Sequence, residues 1–135
     1  MAPNKSVLAF RKLTVDLQRQ VFDDAVAELN VQADALMTVM RTVVVHGPTS
    51  NLANSIRKVP GKKETVVVIQ AGGPTTTVKG GTGKPAYDYA RAVEYGTEKV
   101  SAQPFFFPTY RLMRKSMRAA MSRKIRKTIK QYSAG

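Results

Sequence analysis

The stretch that decides the fold runs from Thr14 to Val45 and reads TVDLQRQVFDDAVAELNVQADALMTVMRTVVV. Its apolar residues recur at steps of three and four, which is the spacing of one face of an amphipathic helix. A helix of this length would extend for about 48 Å at about 1.5 Å per residue, so we expect a break near Asn30 or where the run Val43–Val45 begins. The apolar stripe consists of Phe22, Val26, Leu29, Ala33, Leu36, Met40 and Val43.

The length of 135 residues fits a single domain spanning residues 1–135. Residues 46–48, His-Gly-Pro, are expected to end the first helix, because glycine is favoured just past a helix C-terminus and proline cannot continue the helix. Residues 1–13 precede the stripe and are expected to form a flexible or extended N-terminal arm. Residues 133–135 are expected to form a short tail.

The middle of the chain predicts a small antiparallel sheet. Residues 64–71, ETVVVIQA, are rich in β-branched side chains and form the best strand in the sequence. Residues 72–74, Gly-Gly-Pro, indicate a turn, and residues 75–79 then predict a second strand that is antiparallel to the first. The preceding connector, residues 48–63, contains a short helical turn over residues 51–56.

The last third of the chain predicts two further helices. Residues 86–95 suit a short helix by their apolar spacing, although a strand is not excluded there, and Gly96 ends the element. Pro108 is well suited to a helix start, because its missing N–H would have no intrahelical partner there. The fold class is therefore α+β, with a long N-terminal helix, a small antiparallel sheet, a short helix and a basic C-terminal helix.

Positive charge is concentrated toward the C-terminus of the chain. The sequence holds 22 Lys and Arg against 9 Asp and Glu, a formal charge of +13, and residues 101–135 contain nine of the basic residues but no acidic one. Like charges four residues apart on a helix repel, so the pattern favours a polyanionic or acidic partner over an inert face. The candidates for contact with DNA or with an acidic protein are Arg111, Arg114, Lys115, Arg118, Arg123, Lys124, Arg126, Lys127 and Lys130.

Three kinds of partner fit such a helix, and a further interpretation needs none. Nucleic acid would be bound through its phosphates with a strong salt dependence, and an acidic protein surface would be bound by charge complementarity. A membrane surface would suit basic residues beside an apolar stripe. Alternatively, the charges only surround a stripe that packs in the core. Because the helix lacks interleaved aromatic residues, any nucleic-acid contact would be independent of sequence.

The sequence gives little support to enzyme chemistry. The absence of cysteine excludes disulfides and thiolate sites, and His46 is the single histidine, so a multi-histidine metal centre is excluded too. The glycine-rich loop 80–84 is no phosphate-binding loop, because Pro85 stands where a hydroxyl would have to bind Mg²⁺. Asp88 and Glu94 do not share one helical face. We therefore expect no catalytic residue, metal, cofactor or small-molecule substrate, and no membrane span, because no apolar run approaches the ~18–20 residues required.

Three stretches of the chain, taken in order, resemble one family of phage proteins. Residues 46–56, HGPTSNLANSI, resemble a Pro-x-x-Thr-Gly-x-Leu-x-x-Ser-Ile segment, with the spacing after the proline two residues shorter and with Ser50 at the position of the glycine. Residues 89–97, YARAVEYGT, resemble a segment ending Val-Glu-Phe-Gly-Thr, and residues 102–108, AQPFFFP, resemble a Gln-Pro-Phe block with a further proline. The family is the neck and tail-completion (head–tail joining) group typified by the tenth gene product of a lambdoid coliphage and distantly similar to lambda minor tail protein Z.

The resemblance implies a structural role without catalysis or a cofactor. Members are expected to form rings, commonly hexamers, at the head–tail junction of the virion, where they complete, terminate or join the tail after assembly in the host cytoplasm. Neighbouring neck and tail-tube proteins are the implied partners, with genomic DNA as a further candidate. The alternative is a sequence-independent nucleic-acid-binding protein that uses the basic C-terminal helix. The interface residues that the motifs imply are Thr49, Leu52, Ser55, Ile56, Glu94, Tyr95, Gly96, Thr97, Pro104, Phe105 and Pro108.

Some of these motif residues also have a direct physical interpretation. Glu94 could accept backbone N–H bonds, or pair with a basic residue of the last helix or of a neighbouring subunit; alternatively it is an ordinary surface glutamate. Gly96 is predicted to adopt a positive φ, which other residues resist. At least one of the phenylalanines 105–107 should lie in the core, and an exposed one would anchor an interface.

Overall fold

The structure, a computed structural model, describes residues 4–44 and 50–134. It is α+β, as the sequence predicts, with two long helices, two short helices and two small antiparallel sheets. A single 3-10 turn follows the second strand. In chain order the elements are α1 (Lys5–Val43), α2 (Asn51–Ser55), β1 (Arg57–Pro60), β2 (Val67–Gln70), the 3-10 turn (Pro74–Thr76), β3 (Thr77–Val78), β4 (Tyr87–Asp88), α3 (Tyr89–Tyr95) and α4 (Phe107–Ala134).

Helix α1 is a single unbroken element of 39 residues. The helix continues through Asn30, so the break expected there is absent. The side-chain amide of Asn30 donates to the carbonyl of Val26 (2.9 Å) and leaves the helix uninterrupted. The helix ends at Val43, the other position considered, and the N–H of Val44 donates to the carbonyl of Met40 (3.0 Å). The predicted stop at residues 46–48 lies outside the described residues.

Both predicted chain ends need correction. Residues 5–13 are helical and belong to α1, so the extended arm predicted over 1–13 is wrong for that part. Asn4 caps the helix by accepting a hydrogen bond from the N–H of Val7 (2.9 Å), which satisfies one of the N–H groups that a helix start leaves free. At the other end, Ser133 and Ala134 continue α4 and do not form a separate tail.

The sheet prediction is only partly correct. The strand predicted over residues 64–71 is present but shorter, and its partner is β1, with Arg57 opposite Gln70. The second predicted strand, residues 75–79, is wrong in its start and in its partner. Its first residues form the 3-10 turn, and the strand that follows, β3, pairs with β4 and not with β2. Pro74 lacks the N–H that a ladder needs, and Gly73 adopts a φ of 146° that turns the chain away from β2.

The core forms where α1, α2, α3 and the start of α4 meet. Its buried cluster includes Leu36, Met40, Ile56, Ala90 and Phe105. Two members of the predicted α1 stripe, Phe22 and Val43, are instead exposed.

Helix α4 runs antiparallel along α1. The hydroxyl of Thr128 donates to a carboxylate oxygen of Asp24 (2.5 Å), and the hydroxyl of Tyr132 donates to the carbonyl of Leu13 (3.3 Å). Toward the opposite end of α4, Met113 and Met117 pack against the core cluster. The two long helices therefore form one layer of the molecule. The small sheets and short helices pack against one end of that layer.

Candidate functional site: the Glu94 clamp and the basic helix

A tightly folded loop joins α3 to α4. Gly96 begins it with a φ of 77°, and a Cβ at this position would lie 2.7 Å from the backbone nitrogen of Ala102. Thr97 closes the turn by donating its N–H to the carbonyl of Val100 (2.8 Å). The N–H of Gln103 then returns to the carbonyl of Val93 (2.8 Å). The positive φ predicted for Gly96 is confirmed, and the close approach means that no larger residue fits without a shift.

Glu94 clamps the start of α4. One carboxylate oxygen accepts the N–H groups of Phe105 (2.8 Å) and Phe106 (2.9 Å), and the other accepts the N–H of Phe107 (3.1 Å). N–H groups at a helix start have no carbonyl partner within the helix, and they lie at the positive end of the helix dipole. Three charge-assisted bonds compensate for burying a carboxylate that is only 8 % exposed.

We call this arrangement, Glu94 with the N–H groups of residues 105–107, the Glu94 clamp. The sequence interpretation in which Glu94 accepts backbone N–H bonds is confirmed. The interpretation as an ordinary surface glutamate is wrong, because the side chain is buried. Across the described parts of the chain, Glu94 has no basic side chain as its partner.

The three phenylalanines after Pro104 have different surroundings. Phe105 is 1 % exposed and lies in the core cluster, as predicted for at least one of them. Phe106 packs edge-on against it, with ring centroids 6.2 Å apart. Phe107 is exposed and lies 6.4 Å, centroid to centroid, from the exposed ring of Tyr95. An exposed aromatic pair therefore lies beside the clamp, at the foot of the basic helix.

The α2 segment contributes to the fold rather than to the surface. Leu52 and Ile56 are core residues. Ser55 is buried, donates its hydroxyl to the carbonyl of Leu52 (2.6 Å) and accepts the N–H of Gly72 (3.0 Å). The predicted interface residue Thr49 lies outside the described residues.

The predicted interface set thus divides by burial. Its members Leu52, Ser55, Ile56, Glu94 and Phe105 are buried within one chain. The members that a partner can reach directly are Tyr95, Thr97 and Pro104, which are exposed, and Gly96 and Pro108, which are partly exposed.

Asp88 has a structural role, and the sequence analysis did not identify its partners. One of its oxygens accepts the hydroxyl of Thr76 (2.6 Å) and the N–H of Ala90 (2.9 Å), and the other accepts the N–H of Gly73 (3.0 Å). Its position just before α3 was a usable signal, because aspartate is a favoured helix N-cap. Both Asp88 and Glu94 are therefore occupied by groups of their own chain, and no cluster of three or more metal-binding side chains occurs among the residues described.

The nine basic residues of α4 present a large unbalanced charge. Eight are exposed and Lys124 is partly buried. In the described ranges 4–44 and 50–134 there is one ion pair, between Lys58 and Asp34 (2.9 Å), so no carboxylate in them forms an ion pair with a cation of α4. Such a surface attracts polyanions and acidic partners. The predicted candidates, Arg111 through Lys130, are thus available for contact.

An apolar groove lies beside this basic surface. It has a volume of about 710 Å³ and is formed by α1, β2 and α4, with Leu29, Ile69 and Met117 among its lining residues. Arg114 and Arg118 also line it. No local sequence signal marks the groove, because its walls come from three separate elements. We call it the α1–α4 groove.

Comparison with family models, with curated proteins and with solved structures found no match for this chain. Neither α1 nor α4, over their described residues, is long and apolar enough to cross a membrane.

Proposed function

We propose that the protein is a structural subunit of a phage neck, of the tail-completion, tail-terminator or head–tail joining type, and that it acts as a ring at the head–tail junction. One observation carries this proposal. The three stretches that resemble the neck family, which are separate in sequence, meet in one structural unit. Leu52, Ile56, Ala90 and Phe105 share the core cluster, and Glu94 binds the third stretch to the second.

The position of Ser50 agrees with the same proposal. Ser50 has a φ of 54° and lies directly before α2. The resembled family has glycine there, and the left-handed region is the one that glycine enters without steric cost. The serine therefore follows the backbone path that a glycine would follow.

In this function the partners are other copies of the chain, six if the ring follows the resembled family, and the adjoining neck and tail-tube proteins. A ring of six would carry six times the formal charge of +13. The unbalanced cations of α4 would face either an acidic neighbouring protein or the genomic DNA that passes the junction. Assembly would take place in the host cytoplasm, and no catalysis or cofactor is required.

The experiment that tests this function is negative-stain microscopy of lysates from a phage or prophage that lacks the gene. Separate filled heads and free tails, or tails of uncontrolled length, are expected, and supplying the gene from a plasmid should restore complete particles. Normal tailed particles without the gene would refute the neck function.

The second candidate is sequence-independent binding of nucleic acid, which the nine unbalanced cations of α4 favour. It requires that labelled duplex DNA bind at about 0.15 M salt, with an affinity that falls steeply as salt rises. Fluorescence anisotropy with two unrelated duplexes measures both properties. The double variant Lys115→Glu/Arg126→Glu should weaken binding to both duplexes equally, and a variant that binds as the wild type does would exclude this use of α4.

A further inference from the structure

Strand β2 has one edge that no other strand of the described residues covers. Its sheet consists of β1 and β2, and in an antiparallel pair successive residues point their N–H and C=O groups alternately toward the partner strand and away from it. The N–H of Gly61 donates to the carbonyl of Val66 (3.1 Å), which fixes this alternation. The backbone groups of Val66 and Val68 therefore face β1, whereas those of Val67 and Ile69 point away from it.

This free edge faces the α1–α4 groove. Val67 and Ile69 are among the lining residues of the groove and no residue of β1 is, so the groove lies on the side of β2 that is opposite β1. Over residues 4–44 and 50–134, the backbones of Val67 and Ile69 form no hydrogen bond outside the strand pair. The groove thus contains N–H and C=O groups that are open to a partner, beside apolar side chains such as Leu36 and Met117.

The two edges of this small sheet differ in their protection. On the outer edge of β1 the outward positions are Lys58, which pairs with Asp34, and Pro60, which has no N–H. Lysine and proline are residues with which natural sheets protect an edge from further pairing. The edge of β2 has neither, since Val67 and Ile69 are apolar and keep their N–H groups. The β2 edge is therefore the one that is open to a further strand.

The charged side chains that line the groove are both positive. They are Arg114 and Arg118, which are exposed, and neither forms an ion pair with a described residue. Glu28 and Glu94 lie near the lining residues without being among them, and each accepts hydrogen bonds from its own chain. Glu28 accepts the amide of Gln32 (2.9 Å), and Glu94 accepts the N–H groups of the clamp. Since residues 101–135 contain no acidic residue, the α4 wall favours an occupant with negative charge.

We propose that the α1–α4 groove binds an extended acidic segment of a partner protein, which adds as a strand to the free edge of β2. Binding of this kind takes its affinity from main-chain hydrogen bonds and its specificity from pockets for alternate side chains. Every second side chain of the segment is apolar and fills the groove, and the intervening ones are carboxylates that meet Arg114 and Arg118 at its rim. The spacing fits, because four residues of a helix span about 6 Å and two residues of a strand span about 7 Å. The inference deepens the proposed function and rests on it for the source of the segment, a neighbouring neck or tail-tube protein.

Peptide binding measured by fluorescence anisotropy tests the site. The probe is a fluorescein-labelled peptide with the core Val-Glu-Val-Glu-Val, and it should bind the wild type with a Kd below about 1 mM. The rearranged core Val-Val-Val-Glu-Glu has the same composition and charge but lacks the alternation, so it should bind about tenfold more weakly or less. Equal affinity for both peptides would mean that α4 attracts any acidic peptide, and it would overturn the proposal.

Charge exchange tests the role of the two arginines. Arg114→Glu/Arg118→Glu should lose affinity for the acidic peptide by about tenfold or more, because like charges then face each other, and it should gain affinity for the core Val-Lys-Val-Lys-Val. The matched control is Lys115→Glu/Arg126→Glu, which makes the same change in charge at exposed residues of α4 that do not line the groove. The control should keep most of the affinity for the acidic peptide, and equal losses in the two double variants would overturn the proposal. Circular dichroism of each variant checks that the helices are retained.

Hydrogen exchange followed by NMR tests the strand edge without any substitution. Saturating acidic peptide should slow exchange of the N–H groups of Val67 and Ile69 by about tenfold or more, because an amide that becomes hydrogen-bonded exchanges only when the contact opens. The N–H of Val68 faces β1 and is the internal control, which should change little. A bound peptide that leaves Val67 and Ile69 unprotected would lie elsewhere, and the proposal would be wrong.

Two further outcomes count against this site. The proposal is overturned if the acidic peptide does not bind up to about 1 mM. It is also overturned if the wild type self-associates and Arg114→Glu/Arg118→Glu abolishes that association, because a second copy would then occupy the groove. These experiments need no phage, so their failure is distinguishable from failure of the neck function. Normal particles from a phage without the gene would refute the neck and leave a measured peptide site standing.

Discussion

Charge has hydrogen-bond partners at the start of α4 but, over the part of the chain that the structure describes, no ion-pair partners along the rest of that helix. At the start, the buried carboxylate of Glu94 accepts three backbone N–H groups. Along the rest of the helix, nine cations have no carboxylate partner within the described residues. A buried charge without partners would destabilise the fold, whereas exposed charges cost little and remain available to other molecules. The clamp thus stabilises the fold, whereas the cations of α4 have no ion-pair partner among the described residues.

The largest expected loss of stability comes from removing the side chain of Phe105, whose N–H is bound in the Glu94 clamp. Phe105→Ala should lower the free energy of unfolding by about 3–5 kcal/mol, because it empties a core position and the structure can refill it only in part. Denaturant unfolding followed by circular dichroism measures this. The neighbouring Phe107→Ala is the control, since Phe107 is exposed, and it should cost much less. Equal costs would show that Phe105 is not the core residue of the pair.

Breaking the clamp itself should have the next largest effect. Glu94→Ala leaves three N–H groups without their acceptor, and an unsatisfied buried donor costs about 1–3 kcal/mol. Because water will reach some of them, we expect a loss of about 2–4 kcal/mol in total. Glu94→Gln keeps one acceptor oxygen and should fall between wild type and alanine. Glu98→Ala, at an exposed glutamate four residues on, should change stability by no more than about 0.5 kcal/mol.

Both sets of variants bear on how assembly defects are interpreted. Phe105 and Glu94 are buried in one chain, so a failure of particle assembly in their variants would follow from a weakened fold. Assembly tests of a surface therefore belong at exposed residues such as Tyr95.

The loop that precedes the clamp gives a smaller effect. Gly96→Ala should destabilise the protein by about 1–3 kcal/mol, because alanine resists the positive φ and its Cβ would lie 2.7 Å from the nitrogen of Ala102. Thermal unfolding measures the loss. Gly83→Ala is an informative control: Gly83 has a φ of 75° but no atom within 4 Å of an added Cβ. The difference in lost stability between Gly96→Ala and Gly83→Ala measures the cost of the steric clash at Gly96. Equal losses would mean that the loop moves to accommodate the added Cβ without cost.

The smallest change in stability should come from the cations, and it should have the opposite sign. Lys115→Gln/Arg126→Gln removes two like-charge pairs at a spacing of four residues, with Arg111 and with Lys130, and each such pair costs about 0.2–0.5 kcal/mol. The variant should therefore be slightly more stable than the wild type at low salt, and the difference should vanish near 1 M salt, where charges are screened. Unfolding at the two salt concentrations measures it. A loss of stability at low salt would mean that these cations have stabilising partners.

Local patterns could be predicted from the sequence, whereas contacts between separate segments could not. The α1 stripe and the basic α4 were predictable, because helical spacing is a local pattern that a short window reveals. Strand β1 was missed, because Arg57–Pro60 shows no alternation and ends in proline, and it becomes a strand only by pairing with β2. For Glu94 the sequence allowed several partners, and the choice among them depends on how the loop folds. The α1–α4 groove was not predictable at all, because it exists only once three elements are placed together.

The pairing of Asp24 with Thr128 has a consequence for synthesis of the chain. The two residues are separated by 104 positions, and Leu13 and Tyr132 by 119. At about 5–20 residues per second on the ribosome, α1 therefore waits for roughly 5–20 s after it is made before its partner helix exists. During that time the part of α1 that α4 covers is open to chaperones and to other nascent copies. Folding of the long-helix layer is thus late, whereas the clamp, which joins residues 11 to 13 positions apart, can close as soon as its own segment emerges.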